Sequence, residues 1–551
     1  MSEIRETRKR KRREINKPNK KLKLVRQSDL RNVLLDNMFV ETLNIKNEPC
    51  DILANLGNNF ESKVYNDLKS KHMVVDISEF EKSEMYNKTI EAIKNKVPII
   101  YQGYLLDEEE GLHGYPDLII RNDYINKIVK TKVISENNDN YSIIDIKFTT
   151  LNFMKNNINL LNTQKVKLYK CQVYIYSKIL SKIQGSFPKR GYILGNKWKK
   201  VMTVNKKKIV KKSNDCFDRL GVIDFDGLSK IVSEAIYKYR NFTGENEYPN
   251  MNVSEYCQNL SKLKYEIAEK NGEITLLNRC TTGHRENAIK KGIYSFRDKR
   301  CSAEVLGIKG KMVNMINNII EVNRDDNVKV IPNKIVNNDF NWKERSELEL
   351  YVDFEVINDV FTEDNFGTII YLIGVGYYDN NNKWFYESFV VDDLTKKSEK
   401  YMVNKFVNFI NSKNRELSSL RKTDIKLFHW GHIERSIFKT TKEEHNTRWN
   451  INDYWVDYCE IMRKDSVAVK GCFNYSLKSV GKAFSKLKLI DSIWKMEDGI
   501  LTTIMGIKKI SDKAKLENKI IKDVSDFGDI LDYNEMDCKV LSEIINFFRK
   551  C

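Results

Sequence analysis

The sequence predicts an α/β protein made of two α/β domains joined by a helical connector, and three observations carry that prediction. First, 551 residues exceed what one hydrophobic core usually supports. Second, the isoleucine-rich runs Leu118-Ile119-Ile120 and Ile143-Ile144-Asp145-Ile146 read as buried strands, and a helical pattern follows from about Val166 to Leu180. Third, from Glu347 onward three long apolar strands, an amphipathic helix and a fourth strand come in that order. The expected limits are a disordered basic tail over 1–30, a first domain over 31–245, a connector over 246–344 and a second domain over 345–551.

Composition sets the class of partner. At 41% hydrophobic and 11% aromatic, the chain can fill globular cores. No apolar run approaches eighteen residues, so no transmembrane helix and no membrane partner are expected. Net charge is +18, and residues 1–30 hold twelve Lys/Arg against four Asp/Glu, which leaves +10 for the rest. That balance favours a polyanion such as nucleic acid. Lysine-rich codon usage, seen in the many Asn, Lys and Ile residues, is the plainer account. Ten cysteines without a C-x-x-C pair suit reduced thiols in a soluble intracellular protein. The run Arg8-Lys9-Arg10-Lys11-Arg12-Arg13 is not a secretory signal. It reads as a nuclear localisation signal, a phosphate-binding arm or a solubilising tail.

The first domain holds one constellation. Phe60, Val64 and Leu68 recur at helical spacing, and Glu61 lies beside that stripe. Asp107 to Gly111 reads as a loop feeding the strand after Gly114-Tyr115-Pro116-Asp117. Side chains alternate along a strand, so Asp145 and Lys147 share a face. Asp117, Asp145 and the Ile146 carbonyl are oxygen donors suited to a hard divalent cation. Lys147 could position a water or steady a phosphate. The plain alternative is a hairpin with a salt bridge across it. Downstream, Gln172 and Tyr176 are four apart on one helix face, and Gly191 to Gly195 reads as another strand. Lys197 to Lys212 is a basic stretch around Trp198, either a hairpin that tracks a nucleic-acid backbone with one stacking platform or one carrying solvated lysines.

Pro116-Asp117 followed by Asp145-Ile146-Lys147 resembles the core of the PD-(D/E)xK nucleases. With Gln172-Val173-Tyr174-Ile175-Tyr176 it resembles the Q-x-x-x-Y motif of RecB-like nucleases, and Glu61, Asp117, Asp145, Lys147, Gln172 and Tyr176 stand in that family's order. The resemblance implies a restriction-endonuclease-like fold. It also implies Mg²⁺ or Mn²⁺ at Glu61, Asp117 and Asp145, with Lys147, Gln172 and Tyr176 as catalytic residues. Many RecB-like relatives carry a four-cysteine iron–sulfur cluster. Here Cys216, Cys257, Cys280 and Cys301 are scattered, whereas cluster ligands usually pair closely, so no cluster is expected.

The connector reads as a helical spacer, because its glycines, such as Gly283, Gly292 and Gly307, fit a phosphate-binding helical hairpin poorly. In the second domain Leu348 to Glu355 is a strand ending in Asp353 and Glu355 on one face. Strands follow at Thr368–Tyr378 and Trp384–Val391, then a helix over Glu399–Ile410 and a strand at Lys426–Trp430. Glu434 follows that fourth strand. Tyr533 and Asp537 sit four apart where the last helix is expected to open. Four carboxylates can bridge two cations.

The strand order and the acids resemble the RNase H-like DEDD exonucleases, whose last motif is Y-x-x-x-D. Glu434 stands where that family usually has Asp, and Asp457 is a rival third acid that better matches a non-ligand position. Ser476, in Asn474-Tyr475-Ser476-Leu477-Lys478, is expected to cap a helix. The whole pattern resembles RecB-like nucleases fused to an RNase H-like domain, found in microbes and large DNA viruses. An AT-rich viral genome would suit the Asn/Lys/Ile bias. The resemblance implies Mg²⁺ or Mn²⁺ at Asp353, Glu355, Glu434 and Asp537, with Tyr533 catalytic. It implies DNA rather than RNA as partner, 3′-end trimming, and a place in DNA repair or recombination. A nucleic-acid-binding scaffold with inactive sites and an RNA-processing exonuclease are the alternatives.

Overall fold

The computed structural model describes residues 24–43, 51–156, 158–204, 207–243, 251–255, 260–358, 367–417, 425–451, 454–494 and 500–551. The run Arg8–Arg13, most of the expected tail and Cys257 lie outside them. The chain is mixed α/β and divides into two units, residues 1–266 and 267–551.

Unit 1 forms around a seven-stranded sheet. Its strands are β1 (Val74–Asp76), β2 (Ile99–Tyr101), β5 (Leu118–Arg121), β6 (Tyr141–Phe153), β7 (Arg190–Val204) and β8 (Lys207–Ser213), hydrogen-bonded in that order. β9 (Gly221–Asp224) also pairs with β7. β3 (Leu105–Asp107) and β4 (Leu112–Gly114) make a separate hairpin, with the expected loop as its turn. The isoleucine runs lie antiparallel, Ile119 opposite Ile143 and Leu118 opposite Ile144. Alternation sends Ile144 and Ile146 to one face, where Phe60, Val64 and Leu68 of helix α1 (Asp51–Lys71) cover them. Ile143 faces the other way, toward Val173, Ile175 and Ile179 of α3 (Gln164–Gln184). α2 (Met85–Lys94) lies between β1 and β2 in sequence. A sheet buried on both sides explains why these strands read as continuous apolar runs. β6 runs parallel to β7, and α3 is the crossover that such a pair requires. α4 (Leu228–Arg240) follows β9.

Two expected boundaries move. Val25 is fully buried, and its amide and carbonyl bond to Gly111 and His113. Residues 24–30 therefore belong to the fold rather than to a tail. Asn252 donates to the Leu35 carbonyl at 2.9 Å, so unit 1 continues past 245.

The connector is more than a spacer. After α5 (Ser261–Asn271), which spans the division between units, come α6 (Thr282–Ile289) and α7 (Met312–Val322). The buried Arg285 pairs with the buried Glu273 at 3.3 Å. The Arg324 guanidinium donates to the carbonyls of Phe296, Asp298 and Cys301. Its last strand, β10 (Val330–Ile331), pairs antiparallel with Ala468–Val469 in the second half of unit 2. Residues 267–344 therefore fold as part of that unit.

The main sheet of unit 2 uses β11 (Leu348–Ile357), β12 (Ile369–Tyr378), β13 (Trp384–Val390), β14 (Ile425–His429) and β15 (Trp455–Asp457), in the order β13-β12-β11-β14-β15. The first three are antiparallel, and β14 and β15 run parallel to β11. α8 (Lys396–Leu417) links β13 to β14, and α9 (Ile433–Glu444) and α10 (Tyr458–Lys464) follow β14 and β15. After β16 (Ala468–Val469) come α11 (Leu477–Lys486), α12 (Ile500–Glu517) and α13 (Gly528–Lys550). Ser476 caps α11 by accepting from the Ser479 amide, as its position predicts.

Two candidate acidic sites

In unit 1, Asp145 and Lys147 stand on the α3 side of β6. Lys147 Nζ lies 2.8 Å from Asp145 Oδ2 and 3.8 Å from Asp117 Oδ2. Asp117 Oδ2 accepts from the Ile146 amide at 2.6 Å, which ties the end of β5 to the middle of β6. Glu61 reaches in from α1 and accepts from the Tyr101 hydroxyl at 2.9 Å and from the Gln102 amide. On α3, Gln172 Nε2 donates to the Tyr176 hydroxyl at 3.2 Å. The Tyr176 ring lies against Gly114, where a Cβ would fall 2.1 Å from a ring carbon. Only glycine permits that approach.

Electrostatics bind these six residues into one neighbourhood. Burial pushes the Asp117 carboxyl up to about 7, with Asp145 adding to the shift and Lys147 opposing it. Burial also raises Asp145, again against Lys147. Glu61 is raised by burial and by Asp117. Burial works against the Lys147 ammonium, yet Asp145 and Asp117 outweigh it and raise its pKa. Tyr176 is raised by burial and by Asp145.

In unit 2 the first strand of the main sheet, β11, and the last helix, α13, meet. Phe354 points into the core, so its neighbours Asp353 and Glu355 point the other way, toward α13. Asp353, Glu355 and Asp537 each offer a carboxylate oxygen within 4.8 Å of the others, and this is the one such group of three among the described residues. Asn534 Nδ2 donates to Asp353 Oδ2 at 2.7 Å, and its own Oδ1 accepts from the Tyr386 hydroxyl at 2.9 Å. Gly374 on β12 makes room for it, since a Cβ there would meet Asn534 Oδ1 at 1.6 Å. Trp494 Nε1 donates to Asp537 Oδ1 at 2.8 Å.

Burial and then mutual repulsion drive Asp353 and Asp537 well above the usual carboxylate range. Burial lifts Glu355 to about 7, against its bond with Asn534. Lys478, in the first turn of α11, opposes the shifts of Glu355 and Asp537. Its Nζ also lies 4.9 Å from the centre of the Tyr533 ring. Tyr533 sits one turn before Asp537 and, with Trp494, Met536 and Lys539, lines a cavity of about 250 Å³. The Tyr533–Cys538 motif lies in the second turn of α13 rather than opening it, because the helix begins at Gly528.

Glu434 stands at the edge of this group. It is buried in the first turn of α9, with Oε2 3.4 Å from His429 Nδ1. It is near enough to raise all three acids, but outside the 4.8 Å set. Asp457 is committed elsewhere. Its Oδ1 caps α10 at the Glu460 amide, 3.0 Å, and accepts from the Gly431 amide, 2.9 Å.

No family model matches this chain, and no curated protein matches it either.

Both donor sets consist of oxygen, the choice of Mg²⁺ or Mn²⁺ rather than of softer metals. Sequence reading missed Asn534, Trp494, Lys478, Tyr101 and Gln102. Asn534 and Lys478 stood inside quoted motifs without a role. Trp494 and the Tyr101-Gln102 pair carried no local signal. Trp198, expected as a stacking platform, is already engaged. Its Nε1 donates to Asp218 at 2.6 Å, and the Arg219 guanidinium covers the ring at 4.5 Å.

Proposed function

We propose that this protein is a metal-dependent nuclease that hydrolyses DNA phosphodiester bonds, with a trimming site for 3′ ends in unit 2 and a RecB-like site in unit 1. The observation that carries the reading is the convergence of Asp353, Glu355 and Asp537, whose side chains come from β11 and α13 of unit 2. Three carboxylates held together against burial and mutual repulsion are costly unless a cation joins them. The order β13-β12-β11-β14-β15 supports the RNase H-like likeness, and Asp353 and Glu355 lie on its central strand, β11.

Asp353, Glu355 and Asp537 would hold Mg²⁺ or Mn²⁺, with Glu434 within reach of a second ion. A bound divalent cation lowers the pKa of an attacking water and neutralises charge on the phosphate. Asn534 and Trp494 fix the rotamers of Asp353 and Asp537, as supporting residues do for ligating carboxylates. Tyr533 lies beside Asp537 and orients the water. Lys478 offers positive charge to the phosphate. In unit 1, Asp117 and Asp145 would hold the ion with Glu61 beside them, and Lys147 would steady the phosphate.

A second reading is favoured by one observation. Lys147 already compensates Asp145 and Asp117 without any ion. On that reading unit 1 binds nucleic acid and unit 2 alone cuts it. The test is incubation of the purified chain with Mg²⁺ or Mn²⁺ and end-labelled single- and double-stranded DNA and RNA. Metal-dependent DNA products that persist in Asp145→Asn but vanish in Asp353→Asn select the second reading. RNA cut in preference to DNA selects an RNA-processing enzyme. Binding without cleavage leaves a scaffold.

A further inference from the structure

We infer that the exposed face of the β7–β8 ribbon docks double-helical DNA; the choice of DNA rests on the nuclease reading, and the ribbon geometry does not. The two strands are antiparallel from Trp198 opposite Ser213 to Val204 opposite Lys207. Residues directly opposite share a face. One face therefore carries Lys199 with Lys212 and Val201 with Val210, and all four are exposed. Lys211, also exposed, lies on the other face, opposite the buried Lys200. Like charges directly opposite destabilise a strand pair. Residues 197–213 contain no Asp or Glu to relieve them, and among the described residues Lys199, Lys211 and Lys212 have no ion-pair partner. A polyanion supplies that missing charge.

The rest of the face decides between duplex and single strand. A single-strand groove stacks bases on open aromatic rings. Trp198 is the only aromatic residue in 197–213, and Asp218, Arg219 and the Phe153 ring already occupy it. The next pair on the lysine face is aliphatic, Val201 and Val210, each about half accessible. The last β6 pairing with β7 is Phe153 with Lys200, so from Val201 onward the ribbon is two-stranded. A two-stranded ribbon fits the major groove of B-DNA, and apolar side chains there meet thymine methyl groups. A lysine pair beside an aliphatic pair matches phosphates beside a groove floor.

The test uses the full chain and the double variant Lys199→Gln, Lys212→Gln. Binding to a labelled blunt duplex and to its single strand is titrated at several salt concentrations, with EDTA to suppress cutting. The expected result is weaker duplex binding, with the slope of log affinity against log salt reduced by about 0.9 per lysine, while single-strand binding changes less. An unchanged duplex slope overturns the inference and leaves the lysines as guards of the free edge of β8 against strand addition. Equal losses on duplex and single strand, or no duplex binding by the parent chain, overturn it too. Cleavage is scored separately with Mg²⁺ on a short oligonucleotide. A chain that binds duplex through these lysines but never cuts loses the nuclease reading and keeps this one.

Discussion

The two acidic sites solve the same electrostatic problem in opposite ways. In unit 1 the carboxylates Asp117 and Asp145 have a resident counter-charge, the Lys147 ammonium. In unit 2 Asp353, Glu355 and Asp537 crowd together with the neutral donors Asn534, Trp494 and Tyr371 in direct contact. Lys478 acts on them as one weaker opposing influence. Burial is the largest influence on the carboxyl groups in both places. Next to it, Lys147 opposes the shifts of Asp117 and Asp145 in unit 1, whereas a neighbouring carboxylate adds to those of Asp353 and Asp537 in unit 2. The difference shows that a cluster of acids is not one kind of object. One with an internal cation is balanced as folded, whereas one without it keeps its repulsion until protons or an outside cation relieve it.

The largest expected effect tests the unit 2 site. Asp353→Asn should suppress 3′-end trimming about a hundredfold or more, as loss of a metal ligand does. It should also raise the melting temperature in EDTA, because a repelling charge is gone. Trimming of a 5′-labelled strand and a chelated melt check both halves, and a lowered metal-free melt would contradict the account of repulsion.

The mirror experiment is Lys147→Ala. Removing the internal cation leaves two buried carboxylates uncompensated, at about 3–5 kcal/mol when one partner of a buried pair is lost. Unit 1 should therefore lose stability without metal and recover part of it with Mn²⁺, as read by denaturant titration with and without the ion. Equal behaviour of Lys147→Ala and Asp353→Asn in EDTA would erase the contrast between the sites.

Acidity sharpens the comparison further. Asp117 and Glu355 are each lifted to about 7 by burial, above the ordinary carboxylate value near 4. A raised carboxyl binds more protons in the folded state than in the unfolded one between those values. Metal-free stability should therefore be full below about pH 4 and fall as pH rises toward about 7. Divalent-ion affinity should rise over the same window, since protons compete for the ligands. Chelated melts and calorimetric titrations across pH 4–8 read both trends. Flat curves would mean that the folded carboxyls titrate normally.

Glu434→Gln should weaken trimming less than Asp353→Asn does, because Glu434 stands outside the tight trio. Asp457→Asn should change it least, since asparagine also caps helices and the carboxylate serves backbone amides. The reverse ranking in one trimming assay would make Asp457 the third acid.

Much of this was legible because strand alternation is strict. Period two placed Asp353 with Glu355 and Asp145 with Lys147, and helical spacing paired Gln172 with Tyr176. What escaped is what the third dimension adds. Nothing near Trp494 announces Asp537, 43 positions away, and nothing near Gln102 announces Glu61. Trp198 looked free because Asp218 and Arg219 lie beyond the strand that carries it. The connector read as a spacer because the buried Arg285–Glu273 pair looks, in sequence, like two surface charges.

The unit 2 site also has a timetable. Asp353 and Glu355 leave the ribosome on the first strand of their sheet, while Asp537, Asn534 and Tyr533 arrive on α13. Positions 353 and 537 are 184 residues apart, about 10–40 s of synthesis at ordinary elongation rates. For that interval a nascent chain carries half a site. A product released before Gly528 lacks Asp537 altogether, so premature termination yields a fragment in which the acidic trio cannot form.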